Sequence, residues 1–170
     1  MGNFDTSECE RIVRWTDAAA AAAAVRGVSG REILERIRTG KHPAPPMAAL
    51  IGFQIQEVAE GRVVMTLTPH PSLANPMGTI HGGAAATLLD TAMGCAVHTL
   101  LPVERGFATL ELKLNYVRPI HINGDDMIGE GRVLNVSRQT VLAEGSLRDR
   151  AGKLFVHATA TFSLFDMPIN

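Results

Sequence analysis

Residues 84–101 read Ala84-Ala85-Ala86-Thr87-Leu88-Leu89-Asp90-Thr91-Ala92-Met93-Gly94-Cys95-Ala96-Val97-His98-Thr99-Leu100-Leu101, and Pro102 closes the run. Ala, Leu and Met are strong helix formers, and the stretch predicts one long helix. From Pro71 to Val103 the only formally charged residue is Asp90. A helix this apolar needs cover, and the flanking sequence shows what supplies it.

Downstream the chain reads strand after strand. Ala108, Leu110, Leu112, Leu114 and Tyr116 alternate with Thr109, Glu111, Lys113 and Asn115, the period of a half-buried strand. Pro119 ends that run and Asn123-Gly124-Asp125-Asp126 turns the chain. A second strand is expected over Met127–Val136, with Gly129 and Gly131 permitting a bend or bulge. Thr140–Arg148 and Lys153–Phe165 follow, joined through Ser137-Arg138-Gln139 and Asp149-Arg150-Ala151-Gly152. Upstream, Arg62–Thr68 alternates in the same way. Short turns demand antiparallel pairing. A one-faced antiparallel sheet must be covered, and 84–101 is the only element long and apolar enough. An α+β architecture follows, an antiparallel sheet wrapped around one central helix.

Residues 1–30 read as a short N-terminal extension, helical or partly disordered, to a domain over 31–170. Ala18–Ala24 favours helix but has little surface to bury. Ser29, with Glu32 three residues on, has the form of a capping box for a short helix carrying Ile33, Leu34 and Ile37, and Gly40 is its stop. His42-Pro43-Ala44-Pro45-Pro46 is expected to be a stiff connector.

The chain has 170 residues, 16 Lys and Arg against 17 Asp and Glu, and a formal net charge of -1. That balance argues against nucleic acid as the partner. The two cysteines, Cys9 and Cys95, form no CxxC or Cys/His cluster, so neither a disulfide framework nor a metal site is signalled. The longest apolar run near the start, Ala18–Val25, falls short of the ~20 residues of a membrane span. No membrane association and a cytoplasmic setting are the expectations.

Chemistry concentrates around the long helix. A carboxylate inside a buried helix is a candidate base or nucleophile; on a solvent-facing stripe Asp90 would be unremarkable in chemical terms, and the pattern alone leaves both readings open. His81-Gly82-Gly83 opens the same helix. The first N–H groups of a helix lack internal partners and lie at its positive end, and Gly82 and Gly83 admit a substrate oxygen to the backbone, which suits a carbonyl-polarising site. The same glycines also suit a plain tight turn. Asp90 lies eight residues beyond Gly82, roughly 12 Å along the axis, so one helix cannot bring both to one substrate atom, whereas a second subunit can. Met77 and Met93 suit packing or pocket lining. Arg118, Ser137 and Arg138 are candidates for phosphate contact.

Asn75-Pro76-Met77-Gly78-Thr79-Ile80-His81-Gly82-Gly83-Ala84-Ala85-Ala86-Thr87-Leu88-Leu89-Asp90 resembles the signature of the hotdog-fold acyl-CoA thioesterases, in particular the phenylacetate-pathway (PaaI-like) branch. Thr109-Leu110-Glu111-Leu112-Lys113-Leu114-Asn115-Tyr116-Val117-Arg118-Pro119 resembles the strand that follows in that family, and Pro45-Pro46 with Leu50-Ile51-Gly52-Phe53 resembles its entry. Pro71-Ser72-Leu73-Ala74 departs from the family's aromatic-containing approach. The resemblance covers about 31–166 and implies a homodimer, often paired into a homotetramer, with sites at the dimer interface. It implies that the Gly82 N–H polarises a thioester carbonyl and that Asp90 of the other subunit is general base or nucleophile. Asn75 would orient water or the departing thiol. His81 would hold the loop or contact the carbonyl side, and Thr109 would help place water. The implied substrate is an acyl-CoA thioester, with no cofactor and no metal. The rival readings are a hotdog hydratase or dehydratase, and a non-catalytic acyl-CoA-binding module.

Overall fold

The computed structural model describes residues 8–103 and 105–167. The first seven residues of the expected extension lie outside the described residues. Four α-helices and six strands follow one another: α1 (Ala18–Ala23), α2 (Gly30–Arg38), α3 (Pro46–Ile51), β1 (Phe53–Ala59), β2 (Arg62–Leu67), α4 (Gly82–His98), β3 (Arg105–Tyr116), β4 (Met127–Val136), β5 (Thr140–Arg148) and β6 (Leu154–Asp166). The strands form one sheet in the order β1-β2-β4-β5-β6-β3, and every neighbouring pair is antiparallel. β1 and β3 are the edges.

The sheet curls around α4, as expected. Leu88, Leu89, Met93 and Val97 of α4 are buried against Val63, Met65, Leu147, Val156 and Phe162 of the sheet. Each such side chain contributes about 1.5–3 kcal/mol when fully buried, so this contact is the core of the fold. Gly129 and Gly131 were expected to bend or bulge β4. The register runs unbroken through both, and the β4 bulge falls between Val133 and Asn135. Gly131 instead admits the helix: a Cβ there would lie 2.3 Å from the Ala92 carbonyl carbon, a distance no side chain tolerates.

Two elements escape the sequence reading. The expected Pro45-Pro46 connector runs into α3, with Pro46 as its first residue and Gly52, at φ +94°, ending it. Pro suits the first helical position because the missing N–H has no partner there anyway. β1 follows directly. α2 forms where expected: Ser29 Oγ accepts from the Glu32 N–H at 3.3 Å. Glu32 pairs with Arg36 one turn on, at 2.8 Å, and does not make the return bond of a capping box. α1 has no buried residue, whereas Val25 and Gly30 are buried, Gly30 lying against the His98 ring.

β3 departs from the simple alternation. Its pairing with β6 shifts between Thr109 and Glu111, leaving Leu110 as an extra residue. Phe107 packs against the core before the bulge and Leu112 and Leu114 pack against it afterwards. Ala108, grouped with these by the alternation, sits opposite Ser163, and Leu110 is 62% exposed. The bulge has turned Thr109 onto the α4 face.

Candidate active site

The N-terminus of α4 and the loop before it are built by short-range polar bonds. Asn75 Oδ1 accepts from the Met77 and Thr79 N–H groups at 2.9 and 3.3 Å, and Asn75 Nδ2 donates to Thr79 Oγ1 at 2.8 Å. The amide therefore fixes the turn and leaves one of its two N–H donors unspent. His81 caps the helix: its Nδ1 accepts from the Gly83 N–H at 2.9 Å, which makes Nε2 the protonated nitrogen of the neutral ring. The Ala84 N–H goes to the His81 carbonyl at 3.0 Å. Of the first three helix donors, only the Gly82 N–H has no acceptor among the described residues. It sits at the positive end of a 17-residue helix, where an oxygen gaining negative charge is favoured.

A cavity of about 380 Å³ opens beside it, lined by Asn75, Met77, Gly82, Tyr116, Arg118 and Ile120 among others. Sequence reasoning missed Tyr116. Its hydroxyl donates to the Gly82 carbonyl at 3.0 Å, and its ring lies so close that a Cβ on Gly82 would meet it at 3.1 Å. Loss of water around the phenol pushes its pKa up. The contact joins residues 34 apart in sequence, and no local pattern signals it. Met77, 83% exposed, stands at the loop tip. Arg118 gives one guanidinium N–H to the Leu154 carbonyl and keeps the others.

Asp90 lies on the outer, half-buried stripe of α4, so it is neither sealed in the core nor fully solvated. Thr109 Oγ1 donates to Asp90 Oδ1 at 2.9 Å. Burial first, and the Asp90 charge second, push the Cys95 thiol up to about 12. Gly82 and Asp90 occupy one straight helix two turns apart. The structure thus groups Gly82 with Asn75, His81 and Tyr116 at the head of α4, and Asp90 with Thr109 two turns along it. Ser137 and Arg138 lie in the β4–β5 turn. Thr140 next to that turn and Ala108 of β3 both pair with Ser163, so the turn belongs to the Thr109 end of the sheet and Arg118 to the Gly82 end. No cluster of three or more His, Cys, Asp or Glu suited to a metal occurs among the described residues. None of their helices is long and apolar enough to cross a membrane.

Residues 77–156 match the model of the Thioesterase superfamily. A protein of Halobacterium salinarum with a provisional esterase name is 33% identical over 106 residues, covering 59% of this chain and 68% of the relative. The chain belongs to the thioesterase superfamily. This superfamily member is also 29% identical over 106 residues to human acyl-coenzyme A thioesterase 13, covering 61% of this chain and 73% of the relative. Among solved structures, a phenylacetic acid degradation-related protein from Ralstonia eutropha superposes with a TM-score of 0.69 at 27% identity, covering 76% of this chain and 98% of the other. The fold of this thioesterase-superfamily chain is the hotdog fold in its PaaI-like form.

Proposed function

We propose that the chain hydrolyses acyl-CoA thioesters, each site being completed by two copies of the chain. The observation that carries the reading is the unpaired Gly82 N–H at the head of the helix that also bears Asp90. The thioester carbonyl oxygen accepts from that N–H. Asp90 of the other copy, held by Thr109, takes a proton from water as the water oxygen attacks the carbonyl carbon. Its alternative is to attack that carbon itself, expelling the thiolate and leaving an acyl anhydride on Asp90 that water then hydrolyses to the carboxylic acid. The C–O bond forms, negative charge gathers on the oxygen at Gly82, and collapse breaks the C–S bond. The leaving CoA thiolate takes up the proton, giving a carboxylic acid and free CoA. His81 and Asn75 hold the loop that aims the N–H, and the spare Asn75 donor suits water or the departing sulfur.

β3 supports the sharing. It is a 12-residue edge strand with Leu110 and Tyr116 exposed, and a long bare edge with apolar side chains is a template for pairing. Antiparallel pairing of β3 with its own copy about an axis near Lys113 sets Tyr116, and with it Gly82, across from the Thr109–Leu110 bulge of the second copy. The same pairing carries Ser137 and Arg138 of the second copy toward Arg118, where all three suit the phosphates of CoA.

Release of free thiol from a panel of acyl-CoAs tests the reading. Stoichiometric thiol with carboxylic acid as co-product supports it. Hydration of an enoyl-CoA without thiol release, or tight binding without turnover, overturns it in favour of a hydratase or a binding module.

A further inference from the structure

A second cavity, of about 360 Å³, lies between α2, α3 and β1. Leu34 and Ile37 of α2, Ala48 of α3 and Phe53 of β1 form its walls, and Thr91 and Cys95 of α4 its floor. We propose that this cavity receives the acyl group of the thioester and sets acyl selectivity, a reading that rests on the thioesterase proposal and specifies its substrate as a compact, apolar acyl group.

Three observations carry it. The floor adjoins Asp90 along α4: Thr91, on the floor, is the next residue, and the Asp90 charge reaches the Cys95 thiol. A carbonyl held at Asp90 is therefore one helix residue from the chamber floor. The lining is apolar, and the one cation on it, Arg38, is bound to Glu35 at 2.7 Å. No unpaired charge waits for a second carboxylate, so the chamber suits a hydrocarbon or aryl group. Its volume sits near the lower end of the roughly 300–1,000 Å³ usual for small-molecule sites. At roughly 30 Å³ for each water-sized group it takes about a dozen heavy atoms, which excludes long fatty chains.

The chamber also lies in the part of the chain outside the superfamily match. All of its lining residues except Thr91 and Cys95 precede residue 77, where that match begins. The catalytic groups Gly82, Asp90 and Thr109 fall inside the match. Selectivity is thus carried by α2, α3 and β1, and the reaction by α4 and β3. α2 is a fixed wall, because Gly30 at its start is pressed onto His98 and Ser29 caps it.

Ala44→Trp and Ile37→Trp test the chamber. Both positions line it, and neither is fully buried, so the fold tolerates them. Two measurements are made on each protein: calorimetric binding of free hexanoate and decanoate, and kcat/KM for acetyl-, hexanoyl- and decanoyl-CoA. The wild type is expected to gain about fourfold per added methylene until the chamber fills, which is ~0.8 kcal/mol per buried CH2 expressed as a ratio. Both Trp variants are expected to lose at least tenfold for decanoate and decanoyl-CoA, a larger factor than either loses for acetyl-CoA. Decanoate binding that survives both substitutions, or acetyl and decanoyl turnover falling in equal proportion, overturns the proposal. Chamber-dependent decanoate binding without hydrolysis of any acyl-CoA upholds the chamber and overturns the thioesterase reading.

Discussion

The Thr109 hydroxyl donates a 2.9 Å hydrogen bond to Asp90, and it reaches that carboxylate because β3 carries an extra residue, Leu110, immediately after it. In a regular strand Thr109 would share a face with Glu111 and Lys113, pointing away from α4. The bulge rotates the strand by one position and returns Thr109 to the face that Leu112, Leu114 and Tyr116 occupy. Bulges re-aim side chains in this way. Thr109→Ser is expected to keep turnover within a few-fold of wild type. Thr109→Val is expected to lower it roughly 10- to 100-fold, the ~1.5–3 kcal/mol of a hydrogen bond to a charged group. Thiol-release kinetics check both, and equal activity of the Ser and Val variants would remove the hydroxyl from the site.

Tyr116 holds the head of α4 through its bond to the Gly82 carbonyl. Tyr116→Phe keeps the ring over Gly82 and removes the bond to its carbonyl. The expected fall in kcat is about three- to tenfold, from ~0.5–1.5 kcal/mol for one neutral hydrogen bond. Gly82→Ala puts a methyl group 3.1 Å from the Tyr116 ring and is expected to be the more damaging change. A double-mutant cycle measures the contact: Gly82→Ala should cost less in a Tyr116→Ala background than in the wild type, and strictly additive losses would deny the coupling.

Sharing of the site predicts complementation. Asn75→Ala and Asp90→Asn each disable one half-site. Chains of the two variants, unfolded together and refolded as a mixture, form dimers in which one of the two sites is intact. Activity is expected to return to about a quarter of the wild-type level for random two-fold pairing. If each site belongs to a single chain, the mixture shows only the average of the two variants.

His98 sets a pH dependence of stability. It is mostly buried, beside Phe107 with ring centroids 5.6 Å apart and against Gly30, and desolvation lowers its pKa from 6.5. The folded protein therefore holds this proton less tightly than the unfolded chain. The stability is fully present above about pH 6.5 and is lost as pH falls from there toward the folded pKa. Thermal midpoints between pH 5 and pH 7.5 are expected to fall on the acidic side, and His98→Gln is expected to flatten that slope. An unchanged slope in the variant would assign the effect to other groups.

Much of this was legible in the sequence, for physical reasons that also mark where legibility ended. α4 and β4–β6 could be read because apolar periodicity persists over many residues and turn residues bound each run; β4 and β5 begin and end where expected. β1 was lost because it is an edge strand whose own register breaks between Ile55 and Glu57, so its alternation fails halfway. α3 was lost because six residues behind two prolines carry too little periodicity. Gly82 and Asp90 stood out through local chemistry, and Asn75 through the family resemblance. Tyr116 did not, because its importance lies in a contact made only when β3 folds back on the head of α4. The chamber under α2 was likewise invisible, since its lining comes from five separate elements.

The account turns on Asp90, and Asp90→Asn tests it most directly. Asn keeps the volume and still accepts the Thr109 bond, but it neither takes a proton usefully nor attacks a carbonyl. Thiol release from acyl-CoA and the thermal midpoint are measured on the same preparation. The expected result is a fall in turnover of at least roughly 10²–10⁴-fold, with the midpoint held or raised and an S-alkyl-CoA thioether still bound. Turnover near the wild-type level in Asp90→Asn would contradict the account.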